Sequence, residues 1–259
     1  MVPTFKMHGS KARTAAWISD FIPQKFNRWI EPFAGRGNVL FRVASSGHEF
    51  DQAVLNDLNT YGFLTALRDQ ESFEFVDPPP IDKSLWIKWR DAPPSPERCL
   101  AESYVARFGS SYSMGPNTAG AGSKNGHSRE NTIRRMKAAQ EILRSKSASI
   151  TALDYSVALR ALDLREDDVV YMDPPYDVKQ TVHYAGIDHD EFLDLASDLP
   201  CWVFISGYST PRYEAWLSTW GRAVRPRASV GKGVASTGKS GPKPRVEEVL
   251  WWKSPGKHT

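Results

Sequence analysis

The sequence predicts a doubly wound α/β sheet built from residues 1–69 and 148–259, interrupted by an inserted, mostly helical region over residues 70–147. Three observations point there. Short apolar runs alternate with amphipathic helical stretches, the pattern of a sheet covered on both faces by helices. The first run ends in the turn Ala34-Gly35-Arg36-Gly37-Asn38, where such a sheet makes its first strand-to-helix connection. Between residues 70 and 147 the alternation breaks into proline clusters, the pair Trp86 and Trp89, and a Gly/Ser-rich stretch.

Taken in order, "SKARTAAWISDFI" reads as an amphipathic helix capped by Ser10. "NRWIEPFA" is a short strand, "VLFRVASSG" a helix, "QAVLND" a second strand and "LNTYGFLTALRD" a second helix. Within the insertion, "RENTIRRMKAAQEILRSK" forms one basic helix. Alternation resumes with strand "SITALDY", helix "SVALRAL", strand "DVVYMD", helix "DHDEFLDLASDL", strand "CWVFISGY" and helix "TPRYEAWLSTW". A basic segment then leads into the closing strand "VEEVLWWK".

Composition narrows the function classes. A chain of 259 residues with 41% apolar and 24% charged residues is ordinary for a soluble globular protein. No apolar run approaches the roughly 18–20 residues of a membrane span, and the N-terminus lacks the apolar core of a secretory signal. Cys99 and Cys201 stand apart without metal spacing, so reduced thiols, a cytoplasmic setting and no metal are expected. Net charge is only +3, yet Gly221 to Arg245 carries seven Lys or Arg and no acid. A second basic stretch, Lys124 to Lys146, includes Arg134, Arg135 and Lys137. These are solvated loops on one reading; two such stretches flanking a motif at a strand tip favour a polyanionic partner.

Gly35 and Gly37 permit close backbone approach of a nucleotide-like ligand, and the following helix offers unpaired N–H groups. Leu40 occupies the third position of a dinucleotide fingerprint, so a tight turn alone remains the other reading. Asp57, about twenty residues beyond Gly37, sits where an acid binds ribose hydroxyls; it also precedes a helix and suits an N-cap.

The stretch Asp173-Pro174-Pro175-Tyr176 ends the strand "DVVYM" at the crevice where open α/β sheets bind ligands. The prolines make a rigid turn with free carbonyl oxygens, and Tyr176 adds a face for stacking a base. Such a site suits the exocyclic amine of a nucleobase. The Asp173 carboxylate and the Pro174 carbonyl would hold its hydrogens while orientation against an electrophilic methyl group supplies rate. A base in a duplex must be flipped out to reach it. The near-copy Asp77-Pro78-Pro79-Pro80 has no aromatic fourth residue and no following helix, and reads as a linker.

The ordered set "FKMHGSK", "EPFAGRGN", "LND", "LDY" and "DPPY", with "FISGYSTPRYEAWL" and "VEEVLWW" after it, resembles the Dam-like DNA adenine-N6 methyltransferases over most of the chain outside 70–147. The resemblance implies a class I S-adenosylmethionine-dependent (Rossmann-like) methyltransferase sheet, S-adenosyl-L-methionine as cofactor, and an insertion that recognises target sites in double-stranded DNA. It implies that Lys11 meets the methionine end of the cofactor and that Asp57 meets its ribose. Asp154 would approach its adenine. Glu31, Phe33, Gly35, Gly37 and Asn38 of the glycine turn, with Asp173, would complete that site. Asp173 and Pro174 would hold the target amine, with Pro175 fixing the turn and Tyr176 stacking on the base. Lys6 falls where the family often places a DNA-contacting lysine. Independently of the resemblance, the two basic stretches place Arg134, Arg135, Lys137, Arg227 and Lys232 against DNA phosphates, with Tyr184 at the DNA entrance. Met7 stands where the family usually has an aromatic residue, which implies weaker or altered cofactor packing. A prokaryotic or phage setting and a cognate restriction nuclease belong to the same expectation.

Alternatives stay open. Lys6 and Lys11 suit ordinary surface lysines, Asp154 suits a helix cap, and His183 and Tyr184 suit a solvent-facing loop. Cytosine-N4 methylation uses the same chemistry, although those enzymes more often start the motif with serine. Cys201 lacks the glycine-rich context of a carbon-5 enzyme, and a protein-glutamine enzyme would place asparagine first and lack so basic an insertion. A non-catalytic DNA-binding module retaining the fold would not need Gly35, Gly37, Asp57 and Asp173 together.

Overall fold

The computed structural model describes residues 1–5, 10–71, 129–175, 186–225 and 247–256, with side chains in the first helical turn after residue 128 left aside. Its centre is a seven-stranded sheet in the order β3-β2-β1-β4-β5-β7-β6. The strands are β1 Arg28–Glu31, β2 Gln52–Asn56, β3 Ser149–Thr151, β4 Val169–Met172, β5 Trp202–Tyr208, β6 Gly221–Arg225 and β7 Glu248–Lys253. β1 to β5 pair in parallel, and β7 runs antiparallel between β5 and β6. This is the doubly wound α/β sheet that the alternation of apolar runs and helices predicts.

The interior strands are buried on both faces, which is why they read as continuous apolar runs. One face carries Trp29, Leu55, Tyr171, Phe204 and Leu250, the other Ile30, Val170, Met172, Ile205 and Trp251. The first face is covered by α1 Ala15–Ser19, α2 Asn38–Ser45, α3 Tyr61–Asp69 and α4 Arg129–Ser145. The second is covered by α5 Tyr155–Arg160, α6 His189–Asp198 and α7 Pro211–Trp216. The predicted first helix is divided: a 3₁₀ turn over Lys11–Arg13, capped by Ser10, precedes α1.

Helix α4, the basic helix of the predicted insertion, buries Met136, Ala139 and Leu143 in the same core as α2 and α3. Its Gln140 and Arg144 donate to the carbonyls of Leu67, Arg68 and Gln70, so they satisfy the open C-terminus of α3. Lys253 does the same for α6, donating to the carbonyls of Ser197 and Leu199.

One element differs from expectation. Gly221–Arg225, read as the start of a basic segment, is the edge strand β6. Gly221 faces Trp252, whose indole lies so close that any Cβ would meet it at 2.2 Å. Arg222 makes a bidentate pair with Glu214, so the start of this segment is engaged within the fold. Glycine and arginine carry little strand propensity, and the cross-strand indole that makes the strand fit is remote in sequence.

Candidate active site

The sheet reverses its winding between β1 and β4, which lie side by side with Trp29 opposite Val169 and Ile30 opposite Val170. Ligands of doubly wound sheets bind at this switch point, outside the C-terminal ends of the strands. Here it brings the Gly35–Gly37 turn, which follows β1, next to Asp173, which follows β4.

The turn is held from several sides. Gly35 and Gly37 adopt φ of 51° and 70°, the left-handed region that other residues enter only with strain. The Gly37 N–H donates to the Ala34 carbonyl at 2.8 Å, and the Ala34 N–H donates to the Asn56 carbonyl at 2.9 Å. The Gly35 N–H donates to Asp57 Oδ2 at 2.8 Å, while Asp57 Oδ1 accepts from the N–H groups of Asn59 and Thr60, each at 2.8 Å. Asp57 therefore ties the turn to the start of α3, and the half-buried carboxylate keeps acceptor capacity for a ribose hydroxyl.

Asn56, beside it, is the residue that sequence reasoning passed over. Its amide donates to the carbonyls of Pro32 and Leu153 and accepts from the Leu153 N–H and the Thr151 hydroxyl. It staples the C-terminal ends of β1, β2 and β3 together. Leu58 and Leu153 stand 60% and 41% exposed next to Asp57 and Asp154, unusual exposure for leucine and apolar surface suited to a flat heterocycle.

Other predicted residues have structural partners. Glu31 is buried, and its Oε1 accepts from Trp29 Nε1 at 2.6 Å and the Leu40 N–H at 2.8 Å. Burial pushes its carboxyl up to about 8, against the pull of those two bonds. Asn38 gives its amide to Phe5, accepting from the N–H at 2.8 Å and donating to the carbonyl at 2.9 Å. It also donates to Ser10, so it anchors the N-terminal segment. Phe33 stacks on Tyr155 at 5.2 Å. Asp154 caps α5, accepting from the Ser156 N–H and hydroxyl, and that hydroxyl bond holds its carboxyl below the ordinary range.

At the tip of β4, Asp173 Oδ1 forms a 2.7 Å ion pair with Lys11 Nζ and accepts from Ser206 Oγ at 3.1 Å. Glu248 Oε1 of β7 lies 3.4 Å from the same ammonium. The Lys11 side chain is 6% exposed and that of Asp173 18%, so Lys11 is no surface lysine. Burial raises the Asp173 carboxyl; Lys11 opposes that through charge and hydrogen bonding, Glu248 adds to it, and the Ser206 bond opposes it. Pro174 is buried and Pro175 half-buried.

Arg134 and Lys137 are exposed on the outer side of α4, and Arg135 is half-buried. Lys6, Met7, Tyr176, His183, Tyr184, Arg227 and Lys232 lie outside the described residues, as do the Asp77 near-copy and Cys99. Among the described residues no group of His, Cys, Asp and Glu could hold a metal ion, and no helix is long and apolar enough to cross a membrane.

A family model described as D12 class N6 adenine-specific DNA methyltransferase matches residues 8–79 and 91–197. Among solved structures, the chain is similar to the candidate methyltransferase yhhF of Escherichia coli, at 10% identity over 98% of this chain and 91% of that one, with a TM-score of 0.39. It is also similar to a SAM-dependent O-methyltransferase of Thermotoga maritima, at 11% identity over 100% and 70% of the two chains, with a TM-score of 0.38. No curated protein gives a significant match.

Proposed function

The chain belongs to the D12 class N6 adenine-specific DNA methyltransferase family, S-adenosylmethionine-dependent enzymes that methylate the N6 amine of adenine in DNA, and from that premise we propose how its own residues divide the work. Asp173 and the Pro174 carbonyl receive the two hydrogens of the amine of an adenine flipped out of duplex DNA, and Tyr176 stacks on the base. The observation that carries this reading is a carboxylate at the switch point of the sheet, ion-paired with Lys11 in a largely buried site.

The donor set fits the cofactor. The left-handed Gly35 and Gly37 allow its close approach, Asp57 retains acceptor capacity for its ribose, and the exposed Leu58 and Leu153 offer apolar walls beside Asp154 for its adenine. When bound, S-adenosylmethionine supplies a methyl group on a cationic sulfur. Lys11, ion-paired with Asp173, would meet the methionine end of the cofactor, while Glu31, Phe33 and Asn38 support the turn through Leu40, Tyr155 and Phe5. Met7 takes the place of an aromatic packing residue.

Exocyclic nitrogens are poor nucleophiles because their lone pair is delocalised into the ring. Two acceptors on the amine hydrogens favour a pyramidal nitrogen whose lone pair is aimed along the transfer direction. The Asp173 charge stabilises the positive charge that develops on the amine, so no general base is required before transfer. The same proposal extends to residues 70–147 as the reader of a specific site, rooted on the core by α4. It places Lys6, Arg134, Arg135, Lys137, Tyr184, Arg227 and Lys232 on the DNA. Kinship alone supports a cytoplasmic, prokaryotic or phage setting and a cognate restriction nuclease.

The test is transfer of label from S-adenosylmethionine to unmethylated duplex DNA, with products digested to nucleosides and Asp173→Ala run alongside. Label in N6-methyladenine that disappears in the variant is expected. Retention of that label by Asp173→Ala would refute the assignment of the residue.

A further inference from the structure

We propose that Ser206 is a positioning residue of the methyl transfer: backed by Tyr171, it shares Asp173 Oδ1 with Lys11, so that Oδ2 alone receives the target amine. The inference rests on the assignment of Asp173 made above.

The geometry starts from the sheet register. Met172 of β4 pairs with Ile205 of β5, which brings Asp173 and Ser206 to the next rung, on the face covered by α1 to α4. Tyr171, two residues before Asp173, projects from the same face. Its hydroxyl lies 2.7 Å from Ser206 Oγ, and Ser206 Oγ donates to Asp173 Oδ1 at 3.1 Å. A serine hydroxyl has one hydrogen. Because Ser206 spends it on the carboxylate, Tyr171 is the donor to Ser206, and the chain runs one way, from Tyr171 through Ser206 to Asp173. Burial holds the Tyr171 proton by raising its pKa well above the ordinary tyrosine value.

Nothing in this chain has room to swing. Tyr171 and Ser206 are 1% and 0% exposed, and the tyrosine ring stacks on Trp29 with 5.9 Å between centroids and 15° between planes. With two donors on Oδ1, rotation of the carboxylate about its Cβ–Cγ bond would break both. Among the described residues Oδ2 accepts no hydrogen bond, which leaves it as the oxygen for an incoming donor.

The ionisable groups facing Asp173 come from three strands and the turn before α1. They are Lys11, Glu248 of β7, Glu31 of β1 and Tyr171 of β4 itself. Ser206 and Glu248 act on the carboxylate in opposite senses: the serine bond favours the ionised form, and the nearby acid disfavours it. Two substitutions on different strands should therefore move the same titration in opposite directions, which a general loosening of the site would not do.

The experiment measures kcat, the pH profile of kcat/KM on unmethylated plasmid DNA, and cofactor Kd. It compares the full-length wild type with Ser206→Ala, Ser206→Thr, Tyr171→Phe, Glu248→Gln and Asp173→Ala. Loss of a hydrogen bond to a charged group predicts a fall in kcat of about ten- to a hundredfold for Ser206→Ala, at unchanged cofactor Kd. Its acid limb moves to higher pH, Tyr171→Phe gives a smaller change of the same sign, and Ser206→Thr restores the wild-type profile. Glu248→Gln moves the limb to lower pH. Wild-type kcat and an unmoved limb in Ser206→Ala overturn the proposal. If that variant does not fold, limbs of Tyr171→Phe and Glu248→Gln that shift the same way, or not at all, overturn it. Activity surviving in Asp173→Ala instead removes the underlying assignment, whatever the other variants do.

Discussion

Replacing Glu31 with glutamine should make the protein more stable at neutral and alkaline pH, by an amount that grows with pH. In the unfolded chain the carboxyl titrates near its ordinary value of 4.5; in the fold, burial pushes it up to about 8. The two hydrogen bonds from Trp29 and Leu40 lower that value, and the charges of Asp173 and Asp57 raise it further. A raised folded-state pKa means that the folded form holds a proton the unfolded form has released. This contribution to stability is therefore complete below about pH 4.5, falls as pH rises, and is gone above about pH 8. At about 1.4 kcal/mol per pH unit, the window spans about 5 kcal/mol, an upper bound because some ionised form relaxes its surroundings. Glutamine keeps an acceptor for Trp29 and Leu40 and cannot ionise. Urea unfolding of both proteins across about pH 5 to 9.5 should give a stability difference that climbs in favour of Glu31→Gln up to about pH 8 and then levels off. Two parallel curves would show that Glu31 does not hold its proton in the fold, and the reasoning would fail.

Three further outcomes are expected. Gly37→Ala forces a side chain into φ of 70° and sets its Cβ 3.2 Å from the Phe41 ring. It should cost about 1–2 kcal/mol from the backbone alone, and more than Gly47→Ala, where φ is 86° but no atom lies within 4 Å; calorimetric cofactor binding should weaken only in the former. Asn56→Leu leaves the Pro32 carbonyl and both Leu153 backbone groups without their buried partner. That predicts about 3 kcal/mol or more of destabilisation by urea unfolding, with cofactor affinity lost in parallel. Charge-neutralising Arg134 and Arg135 should weaken DNA binding and reduce the slope of log K against log salt by about one for each phosphate that the variant no longer neutralises; an unchanged slope removes α4 from the DNA surface.

The strands, the glycine turn and the acidic motif were legible because each leaves a local mark. Runs of three to seven strand residues, paired glycines and consecutive prolines are properties of neighbouring positions. The same holds for the Ser10 and Asp154 caps. What stayed hidden depends on pairings across the chain. Asn38 reads as part of a ligand turn, yet its amide meets Phe5, and nothing in the spacing of the two says so. Asn56 stands in the quoted "LND", but its staple role needs Pro32 and Leu153 to arrive from two other strands. β6 fell inside a stretch whose charge dominated its reading, because the feature that makes it a strand is the Trp252 indole lying across Gly221. The break in alternation places α4 wholly within the insertion, while Met136, Ala139 and Leu143 mark a buried stripe at helical spacing that ties it to the core.

The arrangement around Lys11 resolves a tension in the chemistry. Methyl transfer to a neutral amine creates a cation, so the site needs a negative charge beside the nitrogen. Burial works against a carboxylate being that charge, and so does the neighbouring Glu248. A lysine favours the ionised form but would repel the developing cation if both met the same oxygen. The fold separates them. Lys11 approaches Oδ1 from the turn before α1 and Ser206 fixes that oxygen from β5, so under the proposed role of Asp173 the amine takes the opposite side of the carboxylate. Glu248 then limits how much of the Asp173 charge Lys11 cancels, since the ammonium is shared between two acids at 2.7 and 3.4 Å. A carboxylate that is oriented, paired with a cation and only partly neutralised by it suits electrostatic stabilisation of an amine cation.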